Sequence, residues 1–451
     1  RAGAGPGRPA HARANSRAGR PMGCGSSIKS IIQPGDSASN LEDVSALAVV
    51  PLSDLADGEK RGDPNASVSV DSTSLCGSAR SCVWSASEAA MASPMRVFKD
   101  SIASVADVFA AGPHEVCVVG SVQPQSSAIA FAASPPGSVP LADGFEEKVY
   151  ELSGAEDLAT ARRKLLAAGM AFSCRRGKKL QPNQDNILLC RSGALTVFGV
   201  ADGHGDNGHW ASQWAMRYAS ALLLGEVMQA GSVPKSELIF DKVFYFCHEA
   251  LVLRSAEDAV DLDYSGCTLS LCCIDHVARK VYMAWAGDSS ASCSWKTSSA
   301  ELKVQRLTND HKATDIQERQ RINAAGGHIV SDGGAPRVSP TRGARIDDGP
   351  SLAVTRALGD TAMASCGVTS TPAHRLVDNL SAEEPGFVVC CSDGVWDFLS
   401  HDAVAEIVHR NGREQVDRAV DEIVEGCRER WLERDGANGD SDDISAVIAW
   451  L

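Results

Sequence analysis

The 451-residue chain contains no C-x-x-C pair and no H-E-x-x-H, so the common zinc spacings are missing. No apolar stretch approaches the ~18 to 20 residues that a bilayer-spanning helix needs, so no transmembrane helix is expected. Basic residues are in deficit. With 43 Lys and Arg against 57 Asp and Glu the formal charge is −14, which argues against a nucleic-acid binder, because phosphate-backbone affinity is carried by clustered Lys and Arg. A composition of 44% hydrophobic and 22% charged residues excludes collagen-like, coiled-coil and wholly disordered chains. The 15 cysteines are scattered, odd in number, and include the adjacent pairs Cys272-Cys273 and Cys390-Cys391 inside apolar runs. Such cysteines read as buried free thiols rather than a disulfide framework.

Residues 1 to about 140 are rich in Ala, Ser, Gly and Pro and show no sustained period, the composition of a low-complexity, mostly disordered region or linker. Residues 1 to 20 hold five arginines and no acid, and the first methionine is Met22. If translation starts there, Met22-Gly23-Cys24-Gly25-Ser26-Ser27 matches a myristoylation signal at Gly23 with a palmitoyl acceptor at Cys24. Two acyl chains anchor a protein to a membrane where one scarcely does, so a cytoplasmic, membrane-tethered protein is the expectation. If the Arg-rich stretch is translated, it reads instead as an organelle-targeting segment.

From about Phe145 the texture changes, and a folded domain is expected over 145–451. Short apolar runs bounded by Gly, Asp or Ser predict strands at Thr196–Val200, Leu269–Ile274, Lys280–Ala286, Phe387–Cys391 and Ile444–Trp450. Amphipathic spacing predicts helices at His209–Met228, Ser236–Leu253, Thr314–Ala325, Ala403–Arg410 and Arg413–Leu432. Several β-runs in succession favour a layered α+β domain over a doubly wound one.

Aspartates stand at the ends of these strands. Val200-Ala201-Asp202-Gly203-His204-Gly205, Ala286-Gly287-Asp288-Ser289 and Cys391-Ser392-Asp393-Gly394 each pair an acid with glycine or a small residue, and Asp440-Ser441-Asp442-Asp443 precedes the last strand. Acids so placed can meet at one edge of a sheet. Carboxylates and carbonyls without a histidine pair or thiolates are hard ligands suited to magnesium, manganese or calcium, and crowded carboxylates need cations to offset their repulsion.

In its order of motifs the chain resembles the metal-dependent serine/threonine protein phosphatases of the PPM (PP2C) family. The matching stretches run through Asn183-Gln184-Asp185, Phe198 to Gly205, Ser265-Gly266-Cys267-Thr268, Gly287-Asp288-Ser289, Leu307 to Lys312, Arg321-Ile322 with Ala325-Gly326-Gly327, Leu352 to Asp360, Ser392 to Asp397, and Asp442-Asp443-Ile444-Ser445. The resemblance implies an α-β-β-α sandwich of two antiparallel sheets flanked by helices, a catalytic monomer, and phosphoserine or phosphothreonine proteins as substrates. It implies two Mg2+ or Mn2+ ions held by Asp202, the Gly203 carbonyl, Asp393 and Asp442, with Asp185 as an outer-shell acid and a weaker third site at Asp288 and Asp397. His204 resembles the family's general acid, and its reference pKa of ~6.5 suits proton transfer near neutrality. Attack would come from water activated between the cations, so no cysteine nucleophile of the Cys-x5-Arg type is expected to serve it. The polar stretch from Asp310 to Arg356 resembles the family's flap.

Several positions depart from the family pattern. The substrate-phosphate arginine has no single match in Cys174-Arg175-Arg176-Gly177-Lys178-Lys179-Leu180. Arg176 is the expected holder, because a guanidinium fork grips phosphate better than an ammonium point charge. Ser290 stands where arginine is usual, Trp285 replaces a smaller polar residue, and Asp442-Asp443 replaces Asp-Asn, with Asp442 taken as the ligand. Two other readings share these residues: a non-catalytic regulator of the same fold, which loss of an inner acid would mark, and a hydrolase of small phosphate esters.

Overall fold

Strands buried on both faces read as unbroken apolar runs, and this chain builds its core from such strands. The computed structural model describes residues 115–121, 147–179, 181–230, 237–343, 349–378, 386–435 and 441–451. The expected acylation residues Gly23 and Cys24 lie outside them, as does Asp440. In chain order the first half holds β1 (Val116–Ser121), β2 (Val149–Ser153), α1 (Leu158–Ala167), β3 (Met170–Arg175), β4 (Asn186–Ser192), β5 (Leu195–Ala201), β6 (Gly203–His204), α2 (Gly208–Ala230) and α3 (Glu237–Asp258). There follow β7 (Gly266–Cys267), β8 (Leu269–Asp275), β9 (Lys280–Ala286), β10 (Ser290–Lys296), β11 (Leu302–Arg306), α4 (Ile316–Ala324), β12 (His328–Val330), β13 (Arg337–Ser339) and β14 (Leu358–Gly359). The chain ends with β15 (Ala373–Val377), β16 (Gly386–Cys391), α5 (Asp393–Trp396), α6 (His401–Asn411), α7 (Val416–Asp435) and β17 (Ile444–Trp450).

Two antiparallel sheets stack. One has the order β15-β9-β8-β5-β4-β1-β2 and the other β11-β10-β16-β17-β3. Ile187, Leu189, Phe198 and Val200 of the first meet Phe172, Val388, Cys390 and Val447 of the second in one buried layer. The alternate residues of the same strands, Leu188, Cys190 and Val197, face helices α2 and α3 through Ala215, Leu222 and Phe244. Val389, Ala446 and Ile448 on the far face of the second sheet pack against Val404 and Val408 of α6 and Val420 and Ile423 of α7. The layers are therefore α-β-β-α, the expected α+β sandwich. Because both strand faces are buried, truncating an inter-sheet residue such as Phe198 to Ala would cost about 3 to 5 kcal/mol.

The twelve described cysteines are free and buried, as read from their apolar neighbours. The domain boundary near 145 needs correction: β1 lies upstream of it and pairs with both β2 and β4 inside the larger sheet. Its Val-Cys-Val-Val run is too short to stand out beside the low-complexity residues around it. The helix expected over Arg413–Leu432 divides into a 3-10 turn, Arg413–Gln415, and α7. Strand β10 reads as polar in sequence, but Ser290, Ser292 and Ser294 are small enough to be buried in it.

Candidate active site

Strand register brings the acids to one end of both sheets. Asn186 stands opposite Ala201, so Asp185 and Asp202, one residue beyond each, leave the larger sheet together. In the smaller sheet Cys391 stands opposite Ala446, which puts Asp393 and Asp442 at the same end. Asp202 is fixed by its backbone: its N–H donates to Thr268 Oγ1 at 3.0 Å and its carbonyl accepts from Thr268 N at 2.8 Å. Gly203 has no room for a side chain, since a Cβ there would collide with the Gly208 carbonyl. Asp393 opens the short helix α5, whose end is tied by the Trp431 indole donating to the Gly394 carbonyl at 3.0 Å.

The electrostatics show what this packing costs. Burial first, and then the neighbouring carboxylates Asp393, Asp185, Asp442 and Asp288, push the Asp202 carboxyl well above the usual range. Asp393 is raised in the same way by burial, Asp442, Asp288 and Asp397, and its Oδ1 is buried with no hydrogen-bond partner. Asp185 is pushed up to about 7 by burial and by Asp443, although the Ser392 hydroxyl donates to its Oδ2 at 2.7 Å. Buried carboxylates in this state demand either protons or cations.

Lysines supply part of that charge. Lys179 Nζ lies 3.0 Å from Asp442 Oδ1 and 2.8 Å from Asp443 Oδ2. Lys312 Nζ lies 2.9 Å from Asp288 Oδ2. Among the described residues no group of three or more His, Cys, Asp or Glu side chains is arranged to hold a metal ion as it stands. Lys179 therefore stands where it offsets part of the charge on Asp442 and Asp443. The donor set still fits a hard divalent cation: oxygen atoms only, with one carboxylate oxygen left without a partner.

Asp442 and Asp443 divide their work. Asp443 is 1% exposed and accepts from Gly177 N and Gln184 N at 2.7 Å each, so both of its oxygens are spent on holding the 177–184 loop. Asp442 keeps one oxygen beyond its contacts with Lys179 and the Asp443 amide. Gln184 donates from Nε2 to the Gly205 carbonyl at 2.7 Å and braces the turn that carries His204.

His204 lies on a small sheet of its own, β14-β7-β6. Its Nε2 is 2.7 Å from Asp360 Oδ2, a carboxylate 1% exposed. Burial lowers the proton affinity of the imidazole, but the charge and hydrogen bond of Asp360, together with Asp288, raise it overall. Asp360 has a left-handed backbone (φ 47°, ψ 46°), and Gly266 is a glycine because any Cβ would meet the Asp360 carboxylate. In sequence Asp360 only closes the stretch Leu352 to Asp360. Nothing local marks it as the partner of a residue so far upstream.

The remaining expected site residues are less central. Arg176 does not reach the acids: its Nε donates to the Gln181 carbonyl at 3.0 Å and its Nη2 to the Lys179 carbonyl at 2.5 Å. Arg175 pairs with Glu147 at 3.1 Å, and Lys179 is the member of that basic run turned toward the carboxylates. Asp397 sits at the rim, 44% exposed by its side chain and 3.8 Å from Arg434. Trp285 stacks on His311 with ring centroids 5.8 Å apart and planes at 11°, and Ser290 donates to Asp310 at 2.6 Å, so both act in packing. A Cys-x5-Arg spacing does occur, Cys273 to Arg279. Cys273 is fully buried in β8 and burial pushes its thiol up, which is the opposite of a thiolate nucleophile.

The family model for protein phosphatase 2C matches residues 185–434. A probable protein phosphatase 2C 61 of Arabidopsis thaliana is 31% identical over 292 residues, covering 63% of this chain and 84% of that protein. Among solved structures, serine-threonine phosphatase 2C from Toxoplasma gondii aligns with a TM-score of 0.52 at 22% identity, covering 62% of this chain and 94% of that one. A C. elegans sex determining protein aligns with a TM-score of 0.51 at 23% identity, covering 62% of this chain, and this chain spans 64% of its length. Both structures share the fold.

Proposed function

Because the chain belongs to the protein phosphatase 2C family, we propose that it hydrolyses phosphoserine and phosphothreonine esters of proteins with two Mg2+ or Mn2+ ions as cofactors. Asp202, the Gly203 carbonyl, Asp393 and Asp442 would hold the ions, with Asp185 orienting water around them and Asp288 and Asp397 serving a weaker third site. Divalent cations supply Lewis acidity: they acidify water and offset charge on phosphoryl oxygens.

The chain's own residues do the rest. Asp360 takes the Nε2 edge of His204 and fixes the ring, which leaves Nδ1 for the substrate. By raising the proton affinity of the imidazole, Asp360 keeps His204 protonated closer to neutrality, where it can give a proton to the departing seryl or threonyl oxygen. Thr268 and Ser289, whose hydroxyls meet at 2.7 Å, hold Asp202 from behind. The observation that carries this reading is the buried Asp202 and Asp393 pair, with Asp393 Oδ1 unpartnered, beside the His204 and Asp360 pair.

Phosphate release from phosphoserine, phosphothreonine and phosphotyrosine peptides and from p-nitrophenyl phosphate tests it. Turnover of the small ester alone would favour a hydrolase of small phosphate esters, and no turnover would favour the non-catalytic regulator. Acylation at Gly23 and Cys24, with membrane tethering of a catalytic monomer, belongs to the same proposal. Mass spectrometry of the native N-terminus tests it, and an intact residue upstream of Met22 would exclude it.

A further inference from the structure

The segment between His311 and Thr355 has its own small core around Ile322, Val338, Leu352 and Val354. A cavity of about 470 Å3 opens on this segment, lined by Arg319, Asn323, His328, Ser331, Pro336 and Arg342. Among the described residues no carboxylate lines it. The neighbouring arginines differ: Arg321 and Arg356 are both paired with Glu318, at 2.5 and 2.6 Å. Arg319 spends its Nε on the Ala313 carbonyl at 3.0 Å, and among the described residues no acid pairs with it or with Arg342. Two arginines around one cavity, with no acidic partner among the described residues, make a local positive site on a chain of formal charge −14.

The segment that lines the cavity also contacts the candidate active site. Pro336 of the lining is followed by Arg337, which holds Ser351 through Nε and Nη2 at 3.0 Å each. At the other end, the segment is tied to the acids by Lys312 on Asp288 and by His311, whose Nδ1 accepts from Gly287 N at 3.1 Å.

We propose that this cavity docks an acidic stretch of the protein substrate flanking its phosphorylated residue, with Arg319 and Arg342 receiving carboxylates and Asn323 and Ser331 adding hydrogen bonds. The inference rests on the phosphatase reading above and gives it a substrate class. Exposed charge pairs are weak singly, so two together are worth roughly tenfold, and less as salt rises.

The experiment compares two phosphothreonine peptides that share a core and differ in flanks of Asp and Glu against Asn and Gln. The full chain should turn over the acidic peptide with a higher kcat/KM, by up to about tenfold and through KM. The double variant Arg319→Ala with Arg342→Ala should lose that preference and keep wild-type turnover of p-nitrophenyl phosphate, which also shows that it folds. Equal kcat/KM for both peptides in the wild-type chain, or a variant that keeps the preference, would overturn the proposal. Fluorescence anisotropy of an unphosphorylated Asp/Glu peptide reads docking without turnover, so it separates failure of docking from failure of the phosphatase reading. Binding there that is lost in the double variant supports the site. Binding unchanged by the double substitution, or matched by inorganic phosphate alone, counts against it.

Discussion

His204 Nε2 and Asp360 Oδ2 meet at 2.7 Å across 156 residues of sequence. The contact joins β6 to the left-handed turn after β14, and the fold carries it on the pairing of β6, β7 and β14. Glycine at position 266 leaves the space it occupies.

The first prediction follows from that contact. Burial lowers the proton affinity of His204, while Asp360 and, less strongly, Asp288 raise it above its ordinary value. Asp360→Asn removes the main raising partner and leaves burial in place, so the imidazole loses its proton at lower pH. The alkaline arm of the kcat profile for a phosphopeptide should therefore move toward acid. His204→Ala should lower kcat by on the order of 10²-fold, while p-nitrophenyl phosphate, whose leaving group needs little protonation, should suffer less. A profile unchanged in Asp360→Asn would separate the two residues.

Asp393→Asn should show opposite effects on stability and activity. The isosteric amide removes a buried charge next to Asp202 and gives the orphaned position a polar group without repulsion. In chelator the variant should melt higher than wild type, by about 2 °C for each kcal/mol relieved. With Mg2+ or Mn2+ present only the wild-type chain should gain further stability, and only it should release phosphate. Calorimetry with and without the ion reads both arms.

Lys179→Met tests the ammonium between Asp442 and Asp443. Asp443 is 1% exposed and would keep its two backbone donors but lose its cation. Breaking such a buried pair costs about 3 kcal/mol or more. Because a divalent ion at Asp442 restores positive charge at the same place, added Mn2+ should recover more stability in this variant than in wild type. Denaturant midpoints at matched ion concentrations measure the difference.

Glu318 sets an acid limit for the segment that carries the proposed docking cavity. Burial would raise its carboxyl, but hydrogen bonds from Arg356, Thr355 and Arg321 outweigh burial and lower it to about 2. A carboxyl depressed in the folded state contributes stability that is complete above its unfolded value of ~4.3 and is lost as pH falls from there through about 2. Limited proteolysis between residues 310 and 356 should accelerate in that window. Glu318→Gln should be cleaved readily even at neutral pH, with little further change on acidification.

Much of the fold can be read from periodicity. The strands Lys280–Ala286 and Ile444–Trp450 match their sequence bounds because glycine and acids punctuate them sharply. The α7 face of Val416, Ala419, Val420, Ile423, Val424, Cys427 and Trp431 is buried as helical spacing requires. Strands β3 and β4 are harder to read, since Ser173, Asn186 and Arg191 interrupt their apolar runs. The candidate acids are visible as strand-end aspartates. The cations that offset them, and the acid that holds His204, are not, because Lys179, Lys312 and Asp360 reach the site through loops whose path only the tertiary structure sets.

On the proposed function, the paired carboxylates around Asp202 work only with divalent cations. The direct measurement is phosphate release from a phosphothreonine peptide by the full chain, first in excess chelator and then with Mg2+ or Mn2+ restored. Release should be absent in chelator and return with either ion in wild type but not in Asp202→Asn. Undiminished release in chelator, or equal release from Asp202→Asn, would contradict a cation-dependent phosphatase.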